Sequence, residues 1–225
     1  MTFSSLLDSF TTLDICVVGD VMLDEYIFGK ATRISVEAPV MVVRQETRRC
    51  VPGGAANVAM NLAALGASTS VVGVASQDEA GRDLATALST LPVRDGLVYC
   101  NDRATTRKTR VVANHSHQVI RLDHEVDSPI DDELGGLVEE KVATNVSRSN
   151  GVLVSDYRKG VLTPRVIKSV MAAAAKAGAP VFVNAKPESA ELYEGAELVS
   201  LNRPEASACL GRNVASGEDA LTGAE

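Results

Sequence analysis

Continuous apolar runs, more than alternating ones, set the hydrophobic pattern along this chain. DICVVGDVMLDEY begins as a strand buried on both faces and ends at Gly19 and Asp20. APVMVVRQETRRC is a second strand candidate. Asn57 to Leu65 reads as a helix, with Val58, Leu62 and Leu65 on one face and small residues elsewhere. STSVVGVAS predicts the following strand. DEAGRDLATALSTL predicts a helix with Asp78 near its start and a stop near Pro92. TTRKTRVVANHSHQVIRLD differs: two strands rich in β-branched residues flank the polar turn NHSH, a hairpin over Thr105 to Asp123.

From Asn150 the pattern alternates strongly. GVLVS is a buried strand, DYRKG its loop and TPRVIKSVMAAAAKAG a helix. Thr163 suits the N-cap there, Pro164 the first helical position and Gly178 the stop. The strands PVFVN and AELVSL follow, then a helix opening at NRPEASACLG. Strand–helix–strand order with continuous apolar strands implies an α/β fold, a mostly parallel sheet covered by helices on both faces. In such sheets ligands bind beyond the carboxyl ends of the strands. Asp20, Asp156, Asn184 and Asn202 all fall at such ends.

Composition narrows the classes. With 225 residues the chain is long enough for one domain with a sizeable core, expected to span 1–225. A net charge of −7 argues against a nucleic-acid partner. The stretch from Asn101 to Arg121 is nonetheless basic, with Arg103, Arg107, Lys108, Arg110 and Arg121 against Asp102 alone. The stretch LDHEVDSPIDDELGGLVEE that follows has eight acids and no Lys or Arg. A basic strip on an acidic protein suits a small anionic ligand better than a polymer. Cys16, Cys50, Cys100 and Cys209 lie far apart, which excludes the usual zinc spacings and a disulfide framework. The first residues lack the pattern of a signal peptide, and no apolar run reaches the ~18 residues of a membrane span. A cytoplasmic protein with no membrane partner is expected.

Four short stretches could carry chemistry, and each has a plainer reading. In GDVMLD, Asp20 and Asp24 could accept hydrogen bonds from sugar hydroxyls, or simply cap and turn the chain. In GGAAN, Gly53 and Gly54 would let a ligand rest against main chain and Asn57 could hold a vicinal diol. The same residues could be a turn and a cap. In SDYRKG, Asp156 could accept from a hydroxyl and Lys159 neutralise a phosphate, or the loop could be merely solvated. In NRPE, Asn202 and Glu205 have the spacing of a capping box. A sharper reading puts Asn202 near nucleotide phosphates and Glu205 on a magnesium-bound water.

The order of these stretches is more telling than any one of them. GDVMLDEY, RISVEAPV, PGGAANVAMNLAALGA, SDYRKG and LNRPEA together resemble the ribokinase-like (PfkB) carbohydrate kinases, and among them the heptose 7-phosphate kinases of lipopolysaccharide core synthesis. The resemblance implies a three-layer α/β/α sandwich with a small β lid, formed near residues 28–50 and 104–123. It implies a sugar phosphate, ATP and Mg2+ as ligands, and a homodimer joined through the lid. Asp20, Gly53, Gly54, Asn57, Asp156 and Lys159 then match sugar-contacting positions. Lys108 and Arg110 would face the 7-phosphate. Lys186, Asn202 and Glu205 match the nucleotide side, with Glu205 meeting the metal through water.

Two departures from the pattern stand out. Asn184 and Ala185 occupy positions where these heptose kinases read Asp-Pro before the lysine. No GAGD occurs either, the motif that supplies the catalytic base and anion hole in such kinases. The catalytic residue is therefore unassigned, and the expectation is a C-terminally truncated kinase domain, itself inactive. The alternative is a non-catalytic remnant that binds sugar phosphate or dimerises.

Overall fold

The computed structural model describes residues 3–114, 117–217 and 219. His115 and Ser116, the centre of the predicted NHSH turn, lie outside the described residues. The first half runs α1 (Phe3–Ser9), β1 (Asp14–Gly19), β2 (Val21–Ile34), β3 (Met41–Gly54), α2 (Ala55–Ala64), β4 (Ser68–Val72), β5 (Val74–Ser76) and α3 (Glu79–Leu88). Then come β6 (Val93–Asp95), β7 (Val98–Cys100), β8 (Arg107–Ala113) and β9 (His117–His124). The remainder is α4 (Asp132–Val146), β10 (Gly151–Ser155), α5 (Pro164–Ala177), β11 (Val181–Asn184), β12 (Leu198–Ser200) and α6 (Arg203–Leu210).

The continuous apolar strands form one parallel sheet in the order β12-β11-β10-β1-β4-β6. Side chains alternate across it, so each strand feeds two cores. Cys16, Val18, Val152 and Val154 meet Val138, Val142 and Val146 of α4 and Val166, Ile167 and Val170 of α5. On the opposite face Val17 and Val71 meet Ala55, Ala56 and Ala59 of α2 and Leu84 and Leu88 of α3. The result is three layers, as the pattern implied.

A second sheet, β3-β2-β8-β9, stands beside the first. The predicted hairpin β8–β9 is present, and β2 adds to it in parallel while β3 pairs antiparallel with β2. This gives the ribbon the partners that two strands alone lack in water. The sheet starts earlier than residue 28: β2 begins at Val21, one residue after β1 ends. Asp24 is therefore a strand residue, not part of a loop.

Three boundaries differ from the pattern, and one helix lies outside it. STSVVGVAS breaks at Gly73, where a Cβ would lie 2.6 Å from the Gly19 carbonyl oxygen. Beyond the break β5 pairs with β7 instead of continuing the main sheet. α2 begins at Ala55, because Gly54 (φ 57°, ψ −135°) turns β3 straight into it. α3 is capped by Asp78 as expected but stops at Leu88, before Pro92. α4 went unpredicted, since its acidic start and the pair Gly135–Gly136 hide Val138, Val142 and Val146 at helical spacing. The caps of α5 at Thr163, Pro164 and Gly178 match the expectation.

Candidate active site

Asp20 follows β1 and Asp156 follows β10, both at the carboxyl edge of the parallel sheet and both buried. Asp20 organises the loop after β10. Its Oδ2 accepts from the backbone N–H of Tyr157 (2.8 Å) and Lys159 (3.1 Å), and its Oδ1 from that of Val161 (3.3 Å). Burial pushes its carboxyl above the ordinary carboxylate range, against the pull of those hydrogen bonds. Asp156 accepts from the Arg158 N–H (2.9 Å) and from the hydroxyls of Ser189 (2.7 Å) and Tyr193 (2.9 Å). These two hydroxyls were not singled out in the sequence. DYRKG is thus a loop held from within by two carboxylates.

Lys159 emerges from that loop toward the segment leaving β9. Its Nζ lies 2.9 Å from Glu125 and 2.7 Å from Asp127. Lys108, on β8 of the second sheet, reaches the same Glu125 at 3.0 Å and Asp123 at 3.0 Å. Glu125 therefore joins the two sheets through two lysines. Sequence reading registered it only as part of an acidic stretch. Its signal was position: the first acid after a strand whose neighbour is basic.

Arg110 sits two residues along β8, on the same face as Lys108. Its Nη1 lies 2.5 Å from Asp24, and its guanidinium lies 5.3 Å from the centroid of the Tyr26 ring. Asp24 lies against Gly53, where an added Cβ would come 2.6 Å from its Oδ2. At Gly54 a Cβ would overlap the Asp20 carbonyl oxygen. Asn57 is exposed in the first turn of α2, its Oδ1 accepting from Asn61 at 3.3 Å.

Lys186, Asn202 and Glu205 form a second group at the ends of β11 and β12. Asn202 and Glu205 complete the capping box of α6, and Glu205 also pairs with Lys186 at 2.6 Å. The Lys186 ion pair and hydrogen bond hold the Glu205 carboxyl below its ordinary value. Lys186 lies 5.9 Å from the centroid of the Tyr157 ring, and the Tyr157 N–H binds Asp20, so Tyr157 links the two groups. Asn184 donates to the Ser200 carbonyl and Ala185 is fully buried. Among the described residues, no cluster of three or more His, Cys, Asp or Glu is placed to hold a metal ion. None of their helices is long and apolar enough to cross a membrane.

The Glu125 bridge has a pH signature. The hydrogen bond from Lys159, with that from Lys108, holds the Glu125 carboxyl below its ordinary 4.5. Between the two values the folded chain binds fewer protons than the unfolded one. Its stabilisation is full above 4.5 and lost as pH falls through the lowered value. Urea unfolding from about pH 6 to pH 3 should therefore show a smaller acid loss in Glu125→Gln than in the parent. Equal slopes in the two proteins would remove the bridge as a source of stability.

Comparison with known proteins bears on this arrangement. The model for "pfkB family carbohydrate kinase" matches residues 12–224. The Bifunctional protein HldE of Gluconobacter oxydans is 41% identical over 222 residues, covering 98% of this chain and 46% of that protein. The Bifunctional protein HldE of a Caulobacter species is 40% identical over 225 residues, covering 100% and 45%. The chain thus spans less than half the length of these curated relatives. Phosphofructokinase-2 from Escherichia coli, solved in complex with fructose-6-phosphate, superposes with a TM-score of 0.75 at 21% identity, covering 94% of this chain and 69% of that one. A carbohydrate kinase from Agrobacterium tumefaciens gives a TM-score of 0.67 at 20% identity, covering 94% and 67%. These two establish the ribokinase-like fold. With the family match running almost end to end, the chain belongs to the pfkB family of carbohydrate kinases.

Proposed function

We propose that this chain binds a sugar phosphate between its two sheets for phosphorylation by ATP, and that the sugar is a heptose 7-phosphate. The observation that carries this reading is the convergence of Lys108, on β8 of the second sheet, and Lys159, on the loop after β10 of the first, on one carboxylate. An arriving phosphate would replace Glu125 as the partner of both lysines, forming charge-assisted hydrogen bonds. The β3-β2-β8-β9 sheet acts as the lid. Arg110, committed to Asp24, contributes less to the phosphate than Lys108 does. Asn57 and the Gly53–Gly54 backbone meet the sugar hydroxyls, while Asp20 and Asp156 shape the loop that presents Lys159.

Lys186, Asn202 and Glu205 would hold the nucleotide end. Magnesium, carried in by the nucleotide phosphates, would meet this chain at Glu205 through water and supply charge neutralisation for phosphoryl transfer. The donor set fits that limited role, since each Glu205 oxygen keeps a lone pair beyond its contacts with Lys186 and Asn202.

Calorimetry with a sugar 7-phosphate and its dephosphorylated sugar tests the reading. Lys108→Met is expected to weaken the phosphate ligand by about 10- to 100-fold, the loss of a charged hydrogen bond, and the plain sugar hardly at all. Equal losses for both ligands would overturn the assignment of the phosphate.

The lid also supports a homodimer. Cross-strand register puts Ile27, Val111, Ile120 and Leu122 on the face opposite Lys108 and Arg110. Ile120 is 47% exposed and Leu122 56%. Pairing two lids through Ile120 and Leu122 would cover these exposed side chains and leave Lys108 and Arg110 to the ligand. Light scattering at micromolar concentration should give twice the monomer mass, and Ile120→Glu with Leu122→Glu should return it to one. A parent that scatters as a monomer would sink the dimer.

A further inference from the structure

Arg103, named above only as part of the basic strip, lies in the loop between β7 and β8. Among the described residues it makes no salt bridge, and the residue is partly buried. Its Nη1 donates to the Ser128 carbonyl at 2.7 Å. Its Nη2 donates to the Val126 carbonyl at 2.5 Å and also to the Lys159 carbonyl. Three main-chain acceptors from two segments distant in sequence thus share one planar head group.

A second feature marks the same crossing. Gly160 has φ +85°, and a Cβ there would overlap the Ser128 carbonyl while lying 3.0 Å from the Arg103 Nη2. The Ile130 N–H donates to the Gly160 carbonyl at 3.0 Å. The segment 126–130 is therefore laid directly on the turn that ends DYRKG, and only glycine fits at the contact. Immediately before these points on the two segments stand Glu125 and Lys159, the pair that links the lid to the loop.

We propose that Arg103 is a positioning residue for sugar-phosphate binding: it fixes the spacing of the Lys159 and Glu125 segments by holding three of their carbonyls at once. This rests on the proposed ligand. A lysine cannot substitute, because an ammonium is a point donor without a planar fork. A shift of ~1 Å in such a support is enough to cost about a factor of 100 at the site it serves.

The test compares the parent with Arg103→Lys and Arg103→Met in two arms. By calorimetry, both variants should bind a sugar 7-phosphate at least tenfold more weakly while ATP affinity stays within twofold. By amide hydrogen exchange without ligand, Lys159 and Val161 should lose at least tenfold protection while β1 and β4 keep theirs. A purely structural role predicts instead a lowered melting temperature with both ligands weakened alike. If Arg103→Lys matches the parent in both arms, the proposal is overturned. If the parent itself fails to bind sugar phosphate, the ligand reading fails, and the exchange arm still decides whether Arg103 sets the loop.

Discussion

Asp20→Asn is expected to destabilise the protein by roughly 2–4 kcal/mol, from one or two buried N–H groups left facing a donor at ~1–3 kcal/mol each. Two backbone N–H groups point at Oδ2 and one at Oδ1. An asparagine amide must present NH2 at one of those places, whichever way it turns. The side chain is 1% exposed, so water offers no relief. The sign of the pH dependence adds a second test. Burial raises the folded pKa of Asp20 above its ordinary 3.8, so the folded chain holds this proton more tightly than the unfolded one. The parent therefore loses stability from this group as pH rises from 3.8 through the raised value, and the Asp20→Asn variant shows no such loss. The gap between parent and variant should be wider in acid than at neutrality. Urea unfolding of both proteins across that range measures it, and a variant as stable as the parent would leave Asp20 free for a ligand.

Much of this fold was legible because its strands are buried on both faces and its helices carry orthodox caps. Thr163, Pro164 and Gly178 bound α5 where propensity places them, and Asn202 with Glu205 opens α6. What escaped depends on the third dimension. Nothing local says that β2 would leave β1 after one residue, because Val21 to Tyr26 reads equally as the same strand prolonged. Nothing local separates β5 from β4, since the break at Gly73 comes from the approach of a distant main chain.

The site was legible by residue type more than by role. Lys108 and Lys159 stood out as cations, but their meeting at Glu125 joins residues separated by half the hairpin and all of α4. Asp20 and Asp156 were read as hydroxyl acceptors from their strand-end positions. Their contacts are to the protein's own N–H and O–H groups. A short acid after a parallel strand can face a ligand or the next loop, and only geometry separates the two.

The paired glycines before α2 should separate under substitution. Gly54→Ala is expected to cost about 3–5 kcal/mol, combining ~1–3 kcal/mol of backbone strain with overpacking of similar size. Gly54 has φ 57°, where an L side chain is strained, and its Cβ would overlap the Asp20 carbonyl, whose hydrogen bond with Ala55 N–H (2.9 Å) starts the helix. That carbonyl cannot retreat without pulling Asp20 and the loop it organises. Gly53 is different. Its backbone is unstrained, and its Cβ would meet the side chains of Asp24 at 2.6 Å and Met22 at 2.8 Å. Side chains can turn aside, so Gly53→Ala should cost only about 1–2 kcal/mol, the lower part of the overpacking range. Displacing Asp24 also frees Arg110, so on the proposed ligand reading Gly53→Ala should lose sugar-phosphate affinity while remaining folded. Thermal unfolding and calorimetry on the two variants distinguish the roles. Equal stability in both would mean that the turn at Gly54 tolerates a side chain. Full binding by folded Gly53→Ala would mean that no ligand rests there.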